Sequence, residues 1–385
     1  MIITSTPYRI SFFGGGTDYP VWFQEHSGAV LATTINRYCY ITCRLLPPFF
    51  GYRHRIVWSQ VETVNEVAEI AHPAVREAIR YLDVQQGLEI HHDGDLPARS
   101  GLGSSSSFSV GILHALHALQ GRMVTKGELA RQAIHLEQNL LKEDVGIQDQ
   151  ILTAYGGLNV VEIDVDSAFR VNPVPIEPLR KELFQHHLLM IYTGISRTAS
   201  EVAKSQIESI PDNTTVMQEI QAMVPEAVRI LSGTGDLNDF GRLLHESWLL
   251  KKSISEKIST PVVDEMYEKA IQAGALGGKL LGAGGGGGDR EDEVAAVSVV
   301  DADGGAVDGP LVRRDVVRLV VRRERAVEIH AEGGDAQVTW RLVDGEHATV
   351  VVDAVGDGVP QRVVVPLGDR GGSRLQIESE YGVEA

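Results

Sequence analysis

Pro97-Ala98-Arg99-Ser100-Gly101-Leu102-Gly103-Ser104-Ser105-Ser106-Ser107 decides how the rest of this chain is read. A short alternating apolar run, residues 88–91, precedes it and reads as the end of a strand. Phe108, Ile112, Leu113, Leu116 and Leu119 follow at helical spacing. The stretch is therefore a loop that opens a helix. Such a loop offers unpaired backbone N–H groups, the positive end of a helix dipole and hydroxyls that reach a cation. Gly101 and Gly103 let the backbone come close to a bulky anion. A nucleotide phosphate with its magnesium ion suits those features. A plain capped turn needs one hydroxyl, whereas Ser104 to Ser107 supply a run of them. Two other phosphate loops do not fit the letters. A Walker loop requires Lys after its last Gly, and the dinucleotide fingerprint requires a third Gly where Ser106 stands.

The chain has 385 residues, enough for two or three domains at about 100–200 residues each. Its net charge of −17 argues against nucleic acid or a membrane surface as the main partner, while leaving room for a local basic pocket. Cys39 and Cys43 lie in a β-branched and aromatic run. On a strand that spacing is roughly 13 Å, too far for a disulfide, so the chain reads as reduced and cytoplasmic. No charged n-region and apolar h-region open the chain, and no apolar run has the length of a membrane span.

Outward from the central loop, residues 2–4 and 8–13 read as strands broken by Pro7. Gly14-Gly15-Gly16-Thr17-Asp18-Tyr19 follows, a turn in which Asp18 either accepts from a ligand hydroxyl or bonds its own backbone. Residues 29–46 read as a long strand or a hairpin, and 72–82 as a helix. Thr125 and Glu128 suggest a capping box before a helix over 129–141. Glu137 sits beside its apolar face, either bordering a pocket or solvated. Asp149 lies at a helix start between Val145-Gly146 and Gly156-Gly157. Strands are expected at 158–165 and 187–192, and helices from about Ala199 and over 216–231, 240–252 and 261–273. After Gly288, Lys, Phe, Met, Asn and Cys vanish. Strands read at 316–321, 336–343, 347–352 and 361–365, and a fused β domain and a different reading frame both account for the shift.

Three stretches taken together carry a resemblance. They are residues 7–19 (PYRISFFGGGTDY), the central loop, and Lys279-Leu280-Leu281-Gly282-Ala283-Gly284-Gly285-Gly286-Gly287. In order and spacing they resemble the three signature motifs of the GHMP small-molecule kinases, over about residues 1–287. Gln148-Asp149-Gln150, Tyr192-Thr193-Gly194 with Arg197, and His245-Glu246-Ser247-Trp248 with Lys251-Lys252 resemble the branch that acts on D-glycero-D-manno-heptose 7-phosphate. The resemblance implies an α+β fold: a ribosomal-protein-S5-like ATP-binding domain over 1–180 and a ferredoxin-like domain over 181–288. A β-rich tail of unknown role would occupy 289–385.

The same resemblance implies an ATP- and Mg2+-dependent sugar kinase acting on an anomeric hydroxyl. Gly101, Leu102, Gly103, Ser104, Ser105 and Ser106 would hold ATP, and Ser105 and Glu137 the metal. Asp149 would orient or deprotonate the sugar hydroxyl, with Arg9 beside it to neutralise charge on the transferred phosphate. Gly16, Thr17, Asp18, Arg197, Lys252, Gly284 and Gly285 would contact the sugar phosphate. Lys251 and Lys252 point about 100° apart on a helix, so one of them is expected to face the site. A small-molecule sugar phosphate is the expected partner, with no nucleic acid or membrane partner, and a homodimer is possible on this reading. Two departures stand out. Gly15-Gly16 replace the Glu-His of galactokinases, and Gly288-Asp289-Arg290 replaces the family's aromatic-rich strand, leaving only 293–300 to substitute. Another family member such as an L-fucose kinase, or a nucleotide-binding protein without turnover, are the alternative readings.

Overall fold

A computed structural model describes residues 1–97, 100–192 and 199–282, and strands at 296–301, 328–330, 337–344, 347–353 and 361–366. Two compact units result, Met1–Leu319 and Val320–Ala385.

The larger unit is built on β1 (Ile2–Phe13) and the 18-residue β2 (Gly28–Leu45). Five further strands join them: β3 (His54–Val57), β4 (Val61–Val64), β5 (Leu88–Gly94), β6 (Leu158–Ile163) and β7 (Phe169–Pro173). The order is β4-β3-β5-β2-β6-β7, with β1 paired to β2 as well. β2 serves three partners because it is long: Gly28 to Thr33 pair with β6, Cys39 to Leu45 pair with β5, and β1 follows nearly its whole length. β1 does not break at Pro7. Pro7 is accommodated at a register shift between Pro7 and Arg9, on a strand whose only sheet partner among the described residues is β2. Proline costs no ladder bond on such an edge.

Ten helices are described: α1 (Pro20–His26), α2 (Pro73–Tyr81), α3 (Ser104–Leu119), α4 (Lys126–Ile134), α5 (Gln148–Tyr155), α6 (Pro178–His186), α7 (Ala199–Ser209), α8 (Thr214–Ser232), α9 (Asn238–Ile254) and α10 (Pro261–Gln272). α3 starts at Ser104, four residues before the apolar periodicity begins, so the serines form its first turn rather than a loop. Thr125 caps α4 by accepting from the Glu128 amide at 3.2 Å. The chain then passes directly into a π-helical segment, His135–Leu140, where the sequence suggested one uninterrupted α-helix. Such widened turns gather at functional sites.

A second sheet consists of β8 (Leu188–Tyr192), β9 (Ala275–Leu280) and β10 (Ala296–Asp301), in the order β8-β10-β9 and antiparallel throughout. β10 comes from the stretch that departs from the family pattern, and it occupies the central position of this sheet. One apolar cluster joins the two sheets, with Leu188 and Met190 of β8 packed against it. Phe12 and Phe13 of β1 meet Phe240 of α9 edge-on at 5.3 and 5.1 Å between ring centres. Phe184 of α6 closes the group at 4.8 Å from Phe240. The smaller unit contains an antiparallel meander of β11 (Glu328–His330), β12 (Gln337–Asp344), β13 (His347–Asp353) and β14 (Gln361–Pro366). The strand read at 316–321 lies outside the described residues.

Candidate active site

A cavity of about 580 Å³ opens where β1, the glycine turn after it, α3, α5, α9 and the end of β9 converge. Arg9 enters from β1. Its Nε and Nη2 donate to the two carboxylate oxygens of Asp149 at 2.6 and 2.5 Å, and its Nη1 donates to the Gly101 carbonyl at 2.6 Å. The Arg9 amide also donates to the Leu102 carbonyl at 2.9 Å, so β1 holds the central loop by backbone as well as side chain. Asp149 stands in the first turn of α5, where the helix dipole favours a negative charge.

α3 begins after Gly103, whose left-handed φ of 75° places it at the N-cap without a capping side chain. The first-turn amides are therefore not covered by the cap residue, an arrangement suited to an anion. Gly101 is pressed against the turn at Gly282. A Cβ on Gly101 would lie 2.5 Å from the Leu281 carbonyl oxygen, and one on Gly282 would lie 2.8 Å from the Gly101 Cα. Gly103, Ser104 and Ser105 line the cavity. Ser106 is buried and donates to Glu137 Oε2 at 2.9 Å, while Gln150 Nε2 donates to the same oxygen at 2.5 Å. Glu137 sits on the π-helical segment, fully buried, and burial pushes its carboxyl up to about 8 despite those donors. Its Oε1 has no hydrogen-bond partner.

Asp18 is 1% exposed. It accepts from the Gly16 amide at 3.0 Å and from the Gln148 amide at 3.4 Å. Burial first, then the charge of Asp149, raises its proton affinity. Gly146 makes its position attainable, because a Cβ there would fall 1.9 Å from Asp18 Oδ2. Gly16 lines the same cavity. Thr17 is fully buried and donates to the Gly14 carbonyl at 2.8 Å, so it shapes the turn and is absent from the lining.

Three lysines line the cavity: Lys142 from the segment before α5, Lys251 and Lys279. Lys251 of α9 donates to the Gly282 carbonyl at 2.7 Å, and Lys279 at the end of β9 donates to the Phe12 carbonyl at 3.0 Å. Lys252 does not line the cavity. Its ammonium pairs with Asp264 of α10 at 3.0 Å and lies 5.8 Å from the Trp248 ring centre. Arg197, Gly284 and Gly285 lie outside the described residues. The structure thus brings Arg9, Asp149, Asp18, Gly16 and the start of α3 together, and it turns Lys251 rather than Lys252 toward them. Sequence reasoning passed over Lys279 and Gly146. The only signal for Lys279 was its place at the head of the third motif.

Among the described residues no group of three or more His, Cys, Asp or Glu could hold a metal ion, and no helix is long and apolar enough to cross a membrane.

Residues 64–157 match the family model for the GHMP kinases N terminal domain, and residues 223–288 match that for GHMP kinases C terminal. D-glycero-alpha-D-manno-heptose 7-phosphate kinase of Campylobacter jejuni is 28% identical over 303 residues, covering 74% of this chain and 87% of that protein. Mevalonate kinase of Methanothermobacter thermautotrophicus is 30% identical over 230 residues, or 57% of this chain and 72% of its own. The crystal structure of a D-glycero-D-manno-heptose 1-phosphate kinase from Bacteroides thetaiotaomicron superposes with a TM-score of 0.57 at 24% identity, covering 78% of this chain and 88% of that one.

Proposed function

This chain belongs to the GHMP kinases and has their fold, and on that premise we propose that it transfers the γ-phosphoryl group of ATP to the anomeric hydroxyl of a heptose 7-phosphate. The observation that carries the reading is the forked Arg9–Asp149 pair lying directly against the Gly101–Gly103 turn. The similarity to the Campylobacter heptose 7-phosphate kinase supports the choice of sugar.

In this reading the triphosphate lies along the first turn of α3, where Gly103, Ser104 and Ser105 offer amides and hydroxyls. Asp149 orients the attacking hydroxyl and takes its proton as the new oxygen–phosphorus bond forms and the bond to the departing ADP oxygen breaks. Arg9 holds Asp149 in place and, being a fixed cation, offsets the charge that develops on the transferred group. Asp18 accepts from hydroxyls of the sugar. Lys251 supplies the positive charge that the phosphate already on the substrate requires.

Oxygen donors that suit a magnesium ion are present, with Ser105 in the cavity lining and Glu137 buried behind Ser106 and absent from that lining. Glu137 Oε1 is a buried carboxylate oxygen without a partner, Ser105 and Ser106 add hydroxyls, and hard oxygen ligands of this kind, completed by phosphates and water, are what magnesium takes. Glu137 and Ser105 would hold it, and when bound it would neutralise charge on the phosphates.

The test is an ADP-release assay with heptose 7-phosphate, L-fucose, galactose and mevalonate as separate acceptors. Heptose 7-phosphate should give the highest kcat/KM. Turnover of mevalonate or galactose alone would overturn the assignment, and binding of an ATP analogue without turnover of any acceptor would favour a nucleotide-binding role.

A further inference from the structure

Asp18 is a buried acceptor with a shortage of donors. One amide reaches it at 3.0 Å and a second only at 3.4 Å, while the nearby Asp149 carboxylate repels it. A carboxylate so placed loses its charge unless an opposite charge stands nearby. Arg9 commits all three of its side-chain nitrogens to Asp149 and Gly101. Lys251 is engaged at the Gly282 turn. Lys279 differs. It is 4% exposed, lines the same cavity, and gives one of its three protons to the Phe12 carbonyl, two residues before the glycine turn that carries Asp18.

We propose that Lys279 is a positioning residue that keeps the Asp18 carboxylate charged and ties the Gly14–Asp18 turn to β9, so that Asp18 can accept hydroxyls of the sugar. The proposal rests on the kinase reading above for the identity of those hydroxyls. The charged groups facing the pair are Arg9 from β1, Asp149 from α5, Lys251 from α9, and Lys142, Glu143 and Asp144 from the segment before α5; Tyr19 also lines the cavity. Burial, then Arg9, pulls the Lys279 ammonium down to about 8, and Asp18 is the neighbour that draws it back up. That attraction is mutual, so each charge sustains the other. The placement also explains why a lysine is tolerated there. An unpaired buried ammonium is costly, and a carboxylate with a carbonyl offsets much of the penalty.

The experiment uses the full chain and reads sugar phosphate and ATP separately. Lys279→Met should raise KM for the sugar phosphate about ten- to a hundredfold with KM for ATP within about twofold, as for loss of a charge-assisted contact. The acidic limb of kcat/KM should move to higher pH, because Asp18 then protonates more readily. In an Asp18→Asn background, Lys279→Met should cost little more. Unchanged sugar KM with an unmoved acidic limb, or an equal effect in the Asp18→Asn background, overturns the proposal. A readout independent of turnover separates this from failure of the kinase reading and from poor folding of Lys279→Met. In Asp18→Asn the Lys279 ammonium, followed by nitrogen NMR, should titrate at lower pH than in the unaltered protein. An unchanged titration there also overturns it.

Discussion

Arg9 grips Asp149 with both edges of a fork, Nε on Oδ1 at 2.6 Å and Nη2 on Oδ2 at 2.5 Å, while its remaining nitrogen holds Gly101. One planar cation thus orients the Asp149 carboxylate and braces the turn that leads into α3. Asp149→Asn retains the shape but cannot take a proton, so kcat should fall at least about a hundredfold with ATP-analogue affinity preserved. Arg9→Lys keeps the charge and loses the fork, and it should also lower kcat. Near-normal turnover in the asparagine variant, measured by ADP release, would reduce Asp149 to a structural side chain.

Gly146 faces Asp18 with no room to spare, a Cβ falling 1.9 Å from Oδ2. Gly146→Ala should therefore displace either the 142–146 segment or the Asp18 carboxylate. We expect KM for the sugar phosphate to rise by about tenfold or more, since one misdirected hydrogen bond to a charged group costs that much. A variant with unaltered KM for both substrates would show that the segment moves freely out of the way.

Lys251 and Lys252 are adjacent in sequence and opposite in environment. Lys251→Ala should raise KM for the sugar phosphate about ten- to a hundredfold while leaving KM for ATP nearly unchanged. Lys252→Ala breaks a partly exposed pair with Asp264 and a contact with the Trp248 ring, and should change stability by about 1 kcal/mol. Steady-state kinetics with both substrates varied, alongside thermal melts, distinguishes the two. Equal kinetic behaviour of the two variants would remove Lys251 from the substrate phosphate site.

His72 offers a pH test remote from the cavity. It stacks on Phe108 at 4.7 Å between ring centres, and its Nδ1 accepts from the Val75 amide at 3.4 Å as the cap of α2. Burial, then the neighbouring His92, pushes the imidazole down to about 4. The unfolded chain takes up this proton near pH 6.5 while the folded chain resists, so stability should fall as pH drops from about 6.5 to 4. Protonation would also remove the cap acceptor. Replacing His72 with Asn, which still caps, should flatten that part of the stability–pH curve. A curve of unchanged slope would show that other groups govern acid unfolding.

The first and central motifs exposed most of the site to a reader of the sequence, because glycines beside serines or an aspartate have few structural uses. Asp18 and the start of α3 were legible for that reason, whereas Arg9 and Asp149 were singled out by the resemblance to the GHMP kinases. What escaped depends on rotational phase and on partners distant in sequence. Four consecutive serines on a helix do not reveal which one touches Glu137, and the structure selects Ser106. Neither of two adjacent lysines announces its direction until α9 is seated against α10. Lys279 looks like the opening of a glycine-rich strand end until the Phe12 carbonyl is beside it. The helix over 129–141 was legible in its caps and apolar face. Its widened last turns over His135–Leu140 were not, since the apolar spacing there suits an ordinary α-helix equally well.

The length of β2 has a consequence for the order in which this molecule can be assembled. β1 and β2 are synthesised early and can pair once Cys43 has emerged, yet the other side of Gly28 to Thr33 must wait for β6. Arg9 and Asp149 are 140 residues apart, so at roughly 5–20 residues per second the ribosome needs roughly 7–28 seconds between them. For much of that interval the Gly28–Thr33 stretch of β2 presents unpaired backbone to its surroundings. The site therefore closes late, and the vulnerable species during synthesis is an N-terminal hairpin waiting for its final neighbour.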